Sequence, residues 1–402
     1  MKQHGICGFS HFIIPFKAAS DRKELSEIIL SDGFSPVSCP DPTEIHDYII
    51  DRYFSDEAVS ACHVFRKNTE TRFCDKFLCT DEVTREIVFS SLTLYIYNHG
   101  IHFAVFCANY SRAFSLDDML ISNSGLRFLS TNDPSRFTES AEGFTESNSS
   151  DGIMLRLLRR LIPDIRPITK KAVICSYAVC SEDIMSDEGR RDSLLFHLAT
   201  GSGPNHIYNE QMTFAKYIQS ADIVQGLSRE GISRLVLDSD APSYNLLDNP
   251  YSIVNSYHNN YLWIYLILLC QYYGFKDFNN TALDLYTQSL RKKPFVRRRI
   301  QRLKEQSELF YLQNVYTDIS QITYQNDIYR MLSDIYSIAP LIDEFNNDMN
   351  ICSSYAEKKN MNIKMLIIAV STIVAAVSEI LGLLNDAADA FDLFNRFIGN
   401  KF

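Results

Sequence analysis

Residues 86–110 read EIVFSSLTLYIYNHGIHFAVFCANY, and their pattern decides the first piece of architecture the chain must contain. Apolar β-branched and aromatic residues alternate with others on both sides of Asn98-His99-Gly100. Such side chains pack well on a pleated surface, and Asn and Gly accept the positive φ of a tight turn. The stretch is therefore expected to be two antiparallel strands joined as a hairpin. His99 and His102 fall at the turn and the start of the return strand, where they are expected to face solvent and to hold no ligand.

Working outward, HFIIPF at 11–16 has strand character, while DRKELSEIILSDGF, after Asp21, spaces Leu25, Ile28, Ile29 and Phe34 as a helix does. Downstream, Ser130 to Gly152 is rich in Ser, Thr, Asn, Asp and Glu, the composition of a surface loop or linker. IMLRLLRRLI is a short amphipathic helix stopped by Pro163, KKAVICSYAVC a buried strand, and RRDSLLFHLATGSGP a second strand entering a Gly-rich turn. Gly201-Ser202-Gly203-Pro204 lacks the Lys-Ser/Thr pair of a phosphate loop and is expected to be a turn. YLWIYLILLCQYYGF, at 261–275, is apolar all round but short for a span, so a buried core helix is expected around the single tryptophan, Trp263.

Composition narrows the partners. The chain has 402 residues and a net charge of −10, which gives no general basis for nucleic-acid binding, and direct nucleic-acid contact is not expected. Its ten cysteines are scattered with no CxxC pair, which fits reduced thiols; no metal centre and no cofactor are expected. In MKQHGICGFSHFIIPF, Pro15 and polar residues interrupt the apolar stretch, so no cleaved leader is expected. No nucleophile elbow, phosphate loop or paired-carboxylate spacing stands out, and the protein is not expected to be an enzyme.

The C-terminal third changes character. RKKPFVRRRIQRLK, at 291–304, carries eight basic residues and no acidic one. A solvated face, contact with anionic headgroups, and a pocket for a polyanion are all consistent with it. From Leu303 to Met349 apolar residues recur at helical spacing, as in a stalk that Pro340 should kink or divide; Asp318, Asp327 and Asp334 lie along it. MLIIAVSTIVAAVSEILGLL, at 365–384, has the length of a bilayer span with one formal charge, Glu379. Ser371, Thr372 and Glu379 are the candidates for a bundle-facing or pore-facing side, because ionisable groups at membrane depth avoid lipid. Lys358, Lys359 and Lys364 precede the run, so by the positive-inside tendency the large N-terminal part is expected in the cytoplasm. The tail, DAADAFDLFNRFIGNKF, suits an aromatic segment at the membrane interface or a frayed end. A buried C-terminal helix of a soluble protein has the same composition as 365–384.

The expected fold class is α+β: a cytoplasmic mixed α/β domain, then a long helical stalk and a C-terminal transmembrane helix. Its boundaries are an N-terminal α/β subdomain at 1–150, the second part of that domain at 151–290, the stalk at 291–360, and the membrane helix with its interfacial tail at 361–402. The segment GLSREG, at 226–231, offers Gly226, Ser228 and Arg229 as contacts for a phosphate through backbone N–H groups and a guanidinium, although a turn entering a strand has the same composition.

In LYIYNHGIHFAVF, MLISNSGLRFL, GLSREG, YLWIYLILL and the stalk running into LIIAVSTIVAAVSEIL, the chain resembles the CorA-type divalent-cation channel superfamily, and more closely a divergent bacterial branch associated with type III CRISPR systems. The resemblance covers most of the chain after about residue 85. It departs from true CorA channels in two ways: Asn385-Asp386 stands where a Gly-Met-Asn signature would follow the span, and no second apolar span comes after it. The resemblance implies a homo-oligomer, pentameric in that superfamily, in the bacterial inner membrane. It also implies a membrane effector triggered by a nucleotide second messenger, with Asn123 and Arg127 of MLISNSGLRFL as further ligand contacts. A magnesium-type channel or transporter and a soluble interaction protein are the competing readings.

Overall fold

The computed structural model describes residues 6–37, 44–54, 60–78, 86–111, 114–133, 136–139, 150–206, 214–238, 252–290, 296–352, 354 and 371–373. The chain divides into two units, Met1–Asp277 with Gln306–Ile342, and Phe278–Glu305 with Asp343–Phe402.

The first unit is built on one sheet. In chain order the elements are β1 (Ile6–Lys17), α1 (Arg22–Ser31), β2 (Ser35–Pro36), α2 (Asp47–Phe54), β3 (Cys62–Asp75), β4 (Glu86–Tyr97) and β5 (His102–Ser111). Next come α3 (Leu116–Leu126), β6 (Phe137–Glu139), α4 (Ile153–Leu161), β7 (Arg166–Pro167), β8 (Val173–Cys180), α5 (Glu182–Ser186) and α6 (Glu188–Thr200). They are followed by β9 (Phe214–Ser220), β10 (Ile223–Ser228), β11 (Gly231–Leu237), α7 (Ile253–Ser256), a π-helical turn (Tyr257–Tyr261), α8 (Leu262–Leu290), α9 (Val296–Asn314) and α10 (Thr323–Tyr336). The strand order is β2-β3-β4-β5-β1-β8-β11-β10-β9, with β6 on β3 and β7 on β1. All pairs are antiparallel except β8–β11, which is parallel. Strands from both sides of residue 150 thus share one sheet, and α+β is the class the structure shows.

Alternation along the strands separates two cores. Phe12, Ile14 and Phe16 of β1, with Leu94, Ile96, Ala104 and Phe106, face a cluster that Leu25 and Ile29 of α1, Met119 of α3, Leu158 of α4 and Leu195 of α6 complete. On the other face Phe9 stacks on His258 at 3.7 Å, and Tyr95 meets Trp263 edge-on at 5.3 Å. Leu262 to Cys270 are buried without a break, so the apolar run is a core helix, as its length implied.

The caps explain where helices begin. Asp21 accepts from the Glu24 amide, and Ser115 and Asp118 form a reciprocal capping box at α3. The 86–110 hairpin is present, with Gly100 at φ +86°. Its histidines are not solvent-side, however: His102 is buried and His99 half-buried, because the turn packs against α8 and α9 rather than projecting outward.

Two further expectations are corrected. RRDSLLFHLAT is helix α6, not a strand. Asp187 caps its start by accepting from the Arg190 amide at 3.1 Å, and Gly201, in the left-handed region at φ +58°, closes its end. Leu194, Leu195 and Leu198 are the helically spaced residues that bury it. The region from Leu303 to Met349 is not one continuous stalk either. α9 stops at Asn314, and the Asn326 side chain accepts from the amides of Ile319 and Ser320 at 2.9 and 3.0 Å, holding 315–322 out of the helical ladder. A second break follows α10 at Ser337, left-handed at φ 55°, three residues before Pro340; residues 338–352 are helical again. α10 belongs to the sheet unit: Tyr336 hydroxyl meets the Tyr265 hydroxyl at 2.7 Å, and Gln271 donates to Tyr329 at 2.8 Å.

Within the second unit, Phe278 packs against Phe345 with ring centroids 5.8 Å apart, and the Cys352 thiol donates to the carbonyl of Ala282. Of the basic segment, 291–295 lies outside the described residues; Arg298 and Arg299 are exposed, and Arg299 donates to Gln288 at 2.6 Å.

Candidate functional site: a cationic cleft

The β10–β11 hairpin turns at Arg229-Glu230. Buried Ser228 makes that turn: its Oγ accepts from the amides of Glu230 and Gly231, each at 3.1 Å, and its own hydrogen lies within reach of the Ala199 and Gly231 carbonyls. The amides expected to be exposed for a phosphate are thereby consumed, and Ser228 is a turn-forming residue. Gly226 sits mid-strand opposite Ser233, where a Cβ would lie 2.6 Å from the Ser233 Oγ, so its role is packing.

Asn123 is likewise inside the core. It accepts from the Tyr110 hydroxyl at 2.7 Å and donates to Ser176 at 3.4 Å, tying α3 to β5 and β8. Arg127, which caps the end of α3, does reach a cleft. Its side chain is 5% exposed and pairs with Glu230 at 2.5 Å; Glu230 is 50% exposed. Among the described residues its Nε has no hydrogen-bond partner.

The cleft has a volume of about 460 Å³ and is lined by Arg127, Lys171, Thr200, Ser202, His206, Ser228 and Arg229, with Glu230 at its edge. Three of the five ligand candidates, Arg127, Ser228 and Arg229, are thus brought together; Asn123 and Gly226 are not. Sequence reasoning missed Lys171, Thr200, Ser202 and His206, of which the Gly-Ser-Gly turn was the one visible signal. Gly201 is needed at its position twice over: for its left-handed φ, and because a Cβ there would sit 3.0 Å from the Arg127 Cδ.

Three permanent cations face one carboxylate around the cleft, so its field favours anions. The helix ending there is α6, whose C-terminus carries partial negative charge, so attraction to an anion must come from the side chains. Lys171 lies over the Phe128 ring at 5.0 Å, and Ser202 links Thr200 at 2.7 Å with His197 at 2.9 Å. Burial pushes His197 below its ordinary range, which keeps it neutral near pH 7.

Arg229 also leaves the cleft's rim to reach α10. Its Nε donates to the Ile335 carbonyl at 2.8 Å and its Nη2 to the Ser337 hydroxyl at 3.3 Å, while the Tyr336 hydroxyl donates to the Arg229 carbonyl at 2.7 Å.

Of the membrane-side candidates, Ser371 and Thr372 are helical and exposed, with Ile373 beside them 62% exposed; Glu379 and the rest of 365–384 lie outside the described residues. Among the described residues no helix is long and apolar enough to cross a membrane. One group of metal-ligating side chains, His11, Cys107 and His258, lines a different cavity; no local spacing announces it, because the three are far apart in the chain. The chain matches no family model, no curated protein and no solved structure.

Proposed function

We propose that the protein is a homo-oligomeric membrane effector of the CorA-like kind, whose cytoplasmic domain senses a small phosphate-bearing ligand. The ligand class is a nucleotide second messenger of prokaryotic antiviral defence, as in type III CRISPR systems, and the setting is the bacterial inner membrane. The observation that carries the reading is the convergence of Arg127, Lys171 and Arg229 on one cavity of about 460 Å³, within the range of small-molecule sites. A nucleotide suits this mixture: its phosphates meet the cations, and its ribose and base donors meet the carbonyl end of α6.

Arg229 supplies the coupling. The side chain that a phosphate would engage is the one holding Ile335 and Ser337, next to the left-handed break before 338–352. Ligand binding shifts that break if the two arrangements of Arg229 differ in affinity for the anion. The channel alternative draws less support. Asp318 pairs with Arg330 at 2.7 Å and Asp327 accepts from Tyr217 at 3.4 Å, so two of its three carboxylates are engaged within the protomer.

Two experiments test the reading. Thermal unfolding with ATP, ADP or adenosine should show stabilisation by the phosphate-bearing compounds and none by adenosine, of about 2.7 kcal/mol at a hundredfold excess over Kd. Lys171→Glu and Arg229→Gln should each weaken binding at least tenfold; unchanged binding in the double variant rejects the cleft. Fractionation of the 402-residue chain beside a truncation ending at Asn362, with a high-salt wash, tests the membrane assignment. If both partition into the supernatant, the reading becomes an interaction protein with a buried C-terminal helix.

A further inference from the structure

His11 of β1 and Cys107 of β5 are direct cross-strand partners, so the sheet itself fixes their separation. His258 comes to them from the π-helical turn Tyr257–Tyr261 that leads into α8. π-turns are rare and recur at functional sites, where the extra residue re-aims a side chain. One ring nitrogen of each histidine and the Cys107 Sγ lie within 4.8 Å of one another. His11 Nε2 and His258 Nδ1 are 2.9 Å apart. The other ring nitrogen of His11, Nδ1, is buried with no partner among the described residues. A cavity of about 260 Å³ opens onto the group.

We propose that His11, Cys107 and His258 form a three-ligand site for a thiophilic transition-metal ion of the zinc type, with a fourth position open to the cavity. Tetrahedral zinc holds nitrogen at about 2.0–2.1 Å and sulfur at about 2.3 Å, which places ligand atoms about 3.3–3.6 Å from each other. The histidine pair therefore opens by about half an ångström and the sulfur moves inward, within side-chain rotation on a fixed sheet. Thiolate with imidazole selects zinc-like ions over magnesium or calcium, which take oxygen donors.

The protonation states follow from the surroundings. Burial holds both imidazoles in the neutral, ligating form, and pushes the Cys107 thiol up to about 11. On binding, the sulfur–hydrogen bond breaks, the sulfur–metal bond forms and one proton passes to solvent, so affinity rises with pH. Arg66, exposed at the wall, is the one charged side chain among the described residues lining the cavity. Its charge opposes a divalent ion and makes the Cys107 thiolate the ligand that offsets it.

The test uses the metal alone. The stripped 402-residue chain is titrated with Co2+ and then with Zn2+. Expected is one Co2+ per chain, with a thiolate-to-cobalt charge-transfer band and four-coordinate visible bands that Zn2+ abolishes. Cys107→Ser removes the charge-transfer band. His258→Gln weakens binding at least about 100-fold, since losing even an outer-shell partner costs about 10–100-fold. Arg66→Gln tightens binding, which a merely structural His–His contact would not produce. Absence of Co2+ binding in the unaltered chain overturns the site, as does a charge-transfer band that survives in Cys107→Ser. Should Cys107→Ser fail to fold, unchanged affinity in both His258→Gln and Arg66→Gln overturns the site equally.

Discussion

The guanidinium of Arg229 donates to the carbonyl of Ile335 at 2.8 Å, so a residue on the rim of the cationic cleft also caps the C-terminal end of α10. A cation there complements the helix dipole. Arg229→Ala is expected to cost about 1 kcal/mol, the net worth of such a bond. Amide exchange should quicken at 335–341 while the β10–β11 hairpin keeps its protection. Uniform acceleration across the sheet would show that the contact is incidental.

Asn123 behaves differently. Its amide joins Tyr110 and Ser176 inside the core; Asn123→Ala takes from the buried Tyr110 hydroxyl its acceptor at 2.7 Å, while Ser176 keeps its contact with Ser10 at 3.0 Å. A loss of about 1–3 kcal/mol is expected in urea unfolding, with nucleotide affinity unchanged for the folded fraction.

Asp75 is fully buried and holds Arg136 in a two-pronged pair, Oδ1 to Nε at 3.1 Å and Oδ2 to Nη2 at 3.0 Å, with the Arg136 guanidinium over Phe77 and Phe137. Removing one partner of a buried pair strands the other charge, so Asp75→Ala should cost about 3–5 kcal/mol. The double variant Asp75→Ala with Arg136→Met should recover part of that loss, a coupling that a double-mutant cycle measures.

Acid should weaken the fold through the hairpin histidines. His102 Nδ1 accepts from the Tyr97 amide and His99 Nδ1 from the Ile101 amide, so both rings must be neutral at that nitrogen. Burial lowers His102 to about 4 and His99 to about 3, the latter also under the charge of His102. The unfolded chain, with pKa about 6.5, binds protons first, so stability is complete above that value and falls as pH drops toward 4. The loss is on the order of 1–2 kcal/mol per histidine by pH 5, read from urea midpoints, and His102→Gln should flatten the slope.

Much of the sheet was legible because its signals are local. Asn98-His99-Gly100 announces a hairpin, Asp21 a helix start, and the unbroken apolar run around Trp263 a core helix. α6 reads as a strand because LLFHLA is a nearly continuous apolar run, yet its two caps, Asp187 and Gly201, carry the stronger information. The stalk reads as longer than it is for the converse reason: apolar periodicity persists through 315–322, while the Asn326 and Ser320 side chains that interrupt it carry no hydropathy signal. Within the site, Arg229 is visible as a cation in the Gly-Ser segment GLSREG, and Arg127 only through the resemblance carried by MLISNSGLRFL. Lys171 and His206 enter the cleft only through strand pairing and the close of α6, and the His11, Cys107 and His258 group only through the β1–β5 register and a π-turn.

The position of β1 has a consequence for biosynthesis. It is made before every other strand described here yet lies mid-sheet, with β5 on one side and β8 on the other. At about 5–20 residues per second, the ribosome takes roughly 10–30 s to pass from the end of β1 at Lys17 to β8 at Val173. Over that interval the β8 edge of β1 waits unpaired, although α1, α3 and α4, which pack on the face carrying Phe12 and Ile14, precede residue 173 in the chain. A nascent chain stalled before residue 173 is therefore the species most prone to strand addition by a neighbour, and the one for which chaperone engagement matters most.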